Sequence, residues 1–198
     1  NNNNIIESIN IIESKKYFMI EVKNLTKKFA ERTVLDNLNF TVRQGEILGL
    51  LGPNGAGKTT TMKILTGFWP ASSGQVTIAE KNLSQHTLAL QKRLGYLPEH
   101  VPLYEDMKVY EYLRFVAEVR GIDKDETVSR MKEVVEKCGL QKVIGQTIGE
   151  LSKGYRQRVG LAQAIMHDPD ILILDEPTTG LDPNQIIEIR ELIREIGQ

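Results

Sequence analysis

Two short apolar runs punctuate a chain that otherwise mixes polar and hydrophobic positions. Residues 46–51 (Glu-Ile-Leu-Gly-Leu-Leu) read as a buried strand. Residues 171–174 (Ile-Leu-Ile-Leu) read as a fully buried parallel strand, because a strand covered on both faces shows no alternation. Alternation over residues 19–45, continued by residues 75–78, predicts an antiparallel flap. Helical spacing begins at Thr61 and takes over between residues 104 and 139. There Val109, Tyr112, Leu113 and Val116 form one apolar face, and Val128, Met131, Val134, Val135 and Cys138 form another. A further helix places Val159, Ala162, Ile165 and Met166 on one side, and a last one covers residues 185–196. Buried strands followed by helices make the fold α/β.

The first run leads into Gly52-Pro53-Asn54-Gly55-Ala56-Gly57-Lys58-Thr59-Thr60, which satisfies the phosphate-loop pattern G-x-x-x-x-G-K-[ST]. Strand, glycine loop and helix are the context that pattern requires. Glycines bare the backbone so that N–H groups can point at phosphate oxygens, and the helix N-terminus adds its dipole to the same anion site. Lys58 can reach the β- and γ-phosphates, and the Thr59 hydroxyl can ligate Mg²⁺. The second run ends in Asp175-Glu176-Pro177, which puts two carboxylates at the ligand-binding edge of an α/β sheet. Asp175 is then placed for the metal shell and Glu176 for taking a proton from water. A strand ending in Asp-Glu is common by itself; in a chain with a phosphate loop it gains meaning.

Leu151-Ser152-Lys153-Gly154-Tyr155-Arg156-Gln157-Arg158 stands before the carboxylate strand. Ser152 can cap the helix that follows, and a capped N-terminus beside a glycine is a second anion site. The stretch resembles the signature sequence of ATP-binding cassette (ABC) ATPases, and Thr178-Thr179-Gly180-Leu181-Asp182 resembles their D-loop. The resemblance runs from Met19 to the end of the chain. It implies a P-loop NTPase (RecA-like) core, an antiparallel β subdomain and an inserted helical subdomain over about residues 100–160. It implies ATP and Mg²⁺ as ligands. It also implies a homodimer or heterodimer in which Ser152, Lys153, Gly154 and Tyr155 meet the ATP of the opposite subunit, with Asp182 in the D-loop. Phe29 matches the aromatic that stacks on adenine, and Val34 would pack beside the base. Glu99, in Pro98-Glu99-His100, stands where the family usually has Gln, so a carboxylate would face the metal or a water. This pair, with the LSKGYRQR signature, is similar to ATPase subunits of ABC-2-type exporters and of bacterial gliding motility.

Net charge of −1 gives no hint of nucleic-acid binding. The single Cys138 suits a small core residue in a reducing compartment. Without an apolar run of about 18 residues, a membrane path would belong to a separate permease. The expected location is cytoplasmic, peripheral on the inner face of the membrane. Residues 1–18 are rich in Asn and Ile, repeat Ile-Ile-Glu-Ser, and read as a disordered or spurious extension ahead of a natural start at Met19. His86, His100 and His167 all precede Asp175, whereas the family carries a switch histidine after it. A C-terminal truncation is therefore expected, with the central strand missing and the apolar edges of the strands bearing Leu48, Leu50, Ile171 and Ile173 exposed. The leading function is the ATP-binding subunit of a bacterial ABC exporter. The alternatives are a soluble ABC ATPase acting on DNA or ribosomes, and a nucleotide-binding module with little turnover.

Overall fold

The computed structural model describes the backbone of residues 12–13 and all of residues 20–197. The expectations for residues 1–11 and 14–19, including a start at Met19, lie outside the described residues. The chain divides into two compact units. The first runs to Tyr96 and takes in Asp170–Asp175; the second comprises Leu97–Pro169 and Glu176–Gln198.

The first unit is organised around a hairpin. β2 (Ile20–Phe29) turns through Ala30, at φ 48°, into β3 (Arg32–Val42). Its other edge pairs antiparallel with β4 (Ser73–Ile78), which pairs with the short β5 (Lys81–Asn82), giving the order β3-β2-β4-β5. This is the predicted flap. Alternation along β2, shifted by one residue at a register break between Val22 and Leu25, buries Ile20, Val22 and Leu25. α1 (Lys58–Leu65) adds Met62, Ile64 and Leu65 to the same core. α2 (Leu83–Gln91), kinked at His86, contributes Leu83 and Leu90. A second sheet runs β1 (Ile12–Glu13), β7 (Ile171–Leu174), β6 (Leu94–Leu97). The start of β7 is fixed by Arg93. Its carbonyl accepts from the Asp170 and Ile171 N–H groups, and its guanidinium meets Asp170 at 2.5 Å.

Two expectations change here. Residues 46–51 form no strand, and Ile47 is 52% exposed while Leu48 and Leu50 are half-buried against the core. Apolar character turns alternate side chains inward, but a strand also needs a neighbour to accept its backbone hydrogen bonds, and composition does not supply one. The open edge expected on the strand bearing Ile171 and Ile173 is also corrected, and both side chains are buried, at 2% and 0% exposed. Side chains leave a strand above and below the sheet, so an edge presents backbone rather than side chains. Along β7 that backbone pairs antiparallel with Ile12 and Glu13.

The second unit is helical. α3 (Val109–Val119) buries Val109, Tyr112, Leu113 and Val116, the face its spacing predicts. α4 (Lys124–Lys137) sends Val134 and, at its C-cap, Cys138 fully inside, with Met131 and Val135 half-buried. Val128, expected on that face, is 71% exposed. It lies about 120° around the helix from Val134, at 3.6 residues per turn. After a 3₁₀ turn (Ile148–Glu150) comes α5 (Lys153–Ile165), whose Val159, Ala162 and Ile165, with Met166, are all buried. Arg130 of α4 donates from Nε to the Met166 carbonyl at 2.9 Å and from Nη2 to that of Ile165 at 2.6 Å. These bonds satisfy carbonyls that a helix C-terminus leaves without intrahelical partners. α6 (Pro183–Ile196) closes the unit on Ile189, Leu192 and Ile193.

Candidate functional site

The glycine loop is a tight backbone bend. Ala56 N–H bonds the Pro53 carbonyl at 3.1 Å, and Gly55 and Gly57 take φ values of 84° and 94°. Gly57 is the N-cap of α1, with no side chain to cap the helix, and the first turn holds no acidic residue. Helix geometry gives the first N–H groups no acceptor within the helix, so they and the dipole face the loop as an anion site. Lys58 Nζ donates across the loop to the Gly52 carbonyl at 2.7 Å. Gly57 also fits against β3: a Cβ there would come within 2.5 Å of Leu35 Cδ2 and 3.1 Å of the half-buried Val34's carbonyl oxygen.

Thr59, on the first turn of α1, donates its hydroxyl to Asp175 Oδ1 at 3.2 Å. Asp175 is 1% exposed. Residues far apart in sequence thus place a hydroxyl and a buried carboxylate side by side at the end of β7. Among the described residues, no group of three or more His, Cys, Asp or Glu could hold a metal ion. A single carboxylate with a hydroxyl is instead the donor set that suits Mg²⁺ completed by phosphate oxygens and water. Phe29 stands at the tip of the β2–β3 hairpin, 41% exposed, its ring edge-to-face with Trp69 at 5.2 Å.

In the second unit, Ser152 caps α5 and accepts from the Tyr155 N–H at 3.4 Å, as its position predicts. Gly154 abuts the Gln185 amide, where a Cβ would stand 3.0 Å from Gln185 Cδ. Lys153 Nζ lies so close to Gly180 that a Cβ there would collide with it. The segment around Gly180 is therefore held against the start of α5. Arg158 reinforces this, bonding Glu188 of α6 at 2.6 Å and the Cys138 carbonyl at 3.2 Å. Asp182 has a further task that the motif did not reveal: its carboxylate caps α6, accepting from Asn184 N and Gln185 N at 3.1 and 3.0 Å, with Pro183 following. Asp-Pro before an apolar periodic run was the available signal. Glu176 has a left-handed backbone (φ 49°) and its Oε2 accepts from the Thr179 hydroxyl at 2.8 Å. A non-glycine residue held there carries backbone strain. Glu99 is exposed in the bend after β6.

The sequence pattern of the ABC transporter family matches residues 35–179. The chain is 42% identical to the uncharacterized ABC transporter ATP-binding protein YhcH of Bacillus subtilis, covering 90% of this chain and 57% of that protein. It is 39% identical to the bacitracin transport ATP-binding protein BcrA of Bacillus licheniformis, covering 91% of this chain and 58% of BcrA. The chain thus spans little more than half the length of these two relatives. Among solved structures it is similar to cbiO1 of Clostridium perfringens, part of the ABC transporter complex cbiONQ. The TM-score is 0.80 at 26% identity, covering 92% of this chain and 76% of that one.

Proposed function

We propose a role for this chain on one premise: it belongs to the ABC transporter family. Its role is that of the ATP-binding subunit of an ABC exporter, coupling ATP binding and hydrolysis to movement of a separate membrane permease. The observation that carries this reading is the Thr59–Asp175 hydrogen bond, which joins the phosphate loop to the carboxylate strand. Relatives named for bacitracin and lantibiotic transport support the exporter assignment. No helix of the described residues is long and apolar enough to cross a membrane.

In this reading backbone N–H groups of the loop at residues 52–60, other than Pro53, which has none, and the Lys58 ammonium bind the phosphates of ATP. Phe29 stacks on adenine, with Val34 beside it. Thr59 and Asp175 hold Mg²⁺, which when bound neutralises charge on the β- and γ-phosphates. Glu99 offers a carboxylate oxygen to that ion or to a water. Glu176 takes the proton of the attacking water, and its hydrogen bond to Thr179 orients the carboxylate. A second ATP-binding subunit closes the site with Ser152, Lys153, Gly154 and Tyr155, and the D-loop ending at Asp182 lies along the dimer contact. The working protein is therefore a dimer docked on the inner face of the membrane.

Glu176→Gln separates binding from chemistry, because it keeps the side chain's shape and removes the base. ATP still binds, turnover falls about 10²-fold or more, and an ATP-bound dimer accumulates on size-exclusion chromatography with light scattering. Undiminished turnover would remove Glu176 from the role of base.

A further inference from the structure

Lys27 occupies a core position. It lies on β2 two residues past the buried Leu25 and is itself only 9% exposed. A buried lysine is costly unless its ammonium is held. Here Nζ donates to the Pro70 carbonyl at 2.7 Å and sits over the Phe29 ring, 4.9 Å from its centroid. Trp69, the residue before Pro70, packs edge-to-face on Phe29 with ring planes at 73°, and Lys63 Nζ lies over the Trp69 ring at 4.5 Å. The same loop is bonded to β2 by backbone: Ser72 N–H to the Thr26 carbonyl at 2.9 Å, and Lys28 N–H to Ser72 Oγ at 3.0 Å. A phenylalanine at a hairpin tip ordinarily turns about its side-chain bonds. This one is fixed on one side by a buried cation and on another by an indole, yet stays 41% exposed.

We propose that Lys27 and Trp69 are positioning residues that hold Phe29 as a preformed stacking platform for the purine base of the bound nucleotide. The proposal rests on Phe29 as the base-facing residue of the ATP site above. A cation over a ring draws π density toward itself, so the ring's remaining surface favours an electron-rich, uncharged planar partner, which an aminopurine is. A platform already held in its binding orientation loses little freedom when the base arrives, which is the general source of affinity from preorganisation.

The test compares ATP with inorganic tripolyphosphate, which offers the phosphates without a base, both with Mg²⁺ and the 198-residue chain. Trp69 is the chain's one tryptophan, so its emission reports this corner alone. ATP shifts that emission saturably; tripolyphosphate binds by calorimetry without shifting it. Lys27→Met and Trp69→Leu weaken ATP about two- to tenfold, the range of one ring or cation–ring contact, and leave tripolyphosphate affinity as it was. Trp69→Phe, which restores a ring, recovers most of the loss. Should Lys27→Met melt out, the two Trp69 variants still decide the matter. ATP affinity indifferent to these changes, or tripolyphosphate affinity falling in parallel, overturns the proposal. If neither ligand binds the unsubstituted chain, the ATP-site reading itself fails and this proposal falls with it.

Discussion

Gly55→Ala and Gly57→Ala form a matched pair that tests the geometry of the phosphate loop. Both glycines have left-handed backbones, φ 84° and 94°, so alanine at either position carries a backbone cost of about 1–2 kcal/mol. They differ in their surroundings. A Cβ at Gly55 meets nothing within 4 Å; at Gly57 it comes within 2.5 Å of Leu35 Cδ2 and 3.1 Å of the Val34 carbonyl oxygen. Leu35 is a buried residue of β3, and the backbone oxygen cannot swing aside, so Gly57→Ala adds an overpacking cost of about 1–3 kcal/mol. Urea unfolding followed by circular dichroism reads both variants. Gly55→Ala is destabilised by about 1–2 kcal/mol and Gly57→Ala by about 2–5 kcal/mol, with unchanged denaturant slope. Because the backbone cost is common to both, their difference isolates the contact with β3. Equal destabilisation of the two variants would refute the close approach of the loop to β3.

Two further predictions concern single side chains. Asp175→Asn keeps an acceptor for the Thr59 hydroxyl but removes the charge. ATP affinity in EDTA holds, while the gain from added Mg²⁺ falls by about tenfold or more; an undiminished magnesium effect on calorimetric titration would remove Asp175 from the metal site. Burial pushes the Cys138 thiol up to about 12, so at pH 8 it stays protonated and inaccessible. Ellman's reagent labels it only after denaturation, and rapid labelling of the folded chain would contradict its placement at the end of α4.

The parts of the site carried by local pattern were legible in the sequence. The glycine loop, Ser152 as a helix cap and the buried strand before Asp175 each depend on neighbours a few residues away, and each stands where its pattern placed it. What depends on distant partners was not legible. Residues 46–51 have a strand's composition, but a ladder needs another strand alongside. Val128 looked like part of an apolar stripe, and only the packing of α4 shows that the stripe narrows to Val134 and Cys138. Trp69 carried no motif, and its contact with Phe29 arises because Lys27 and Ser72 bind the loop to β2. Asp182 was readable in principle, since Asp-Pro ahead of α6 is a helix-start signal that depends only on adjacent residues.

The proposed function rests on ATP binding through the loop at residues 52–60. Isothermal titration of Mg-ATP into the chain and into Lys58→Ala tests it most directly. Lys58 lies across the loop, with its ammonium 2.7 Å from the Gly52 carbonyl. Binding to the unsubstituted chain is expected to be saturable, with a loss of at least tenfold, about 1.4 kcal/mol, on removal of that ammonium. Equal affinity in the two proteins would contradict it.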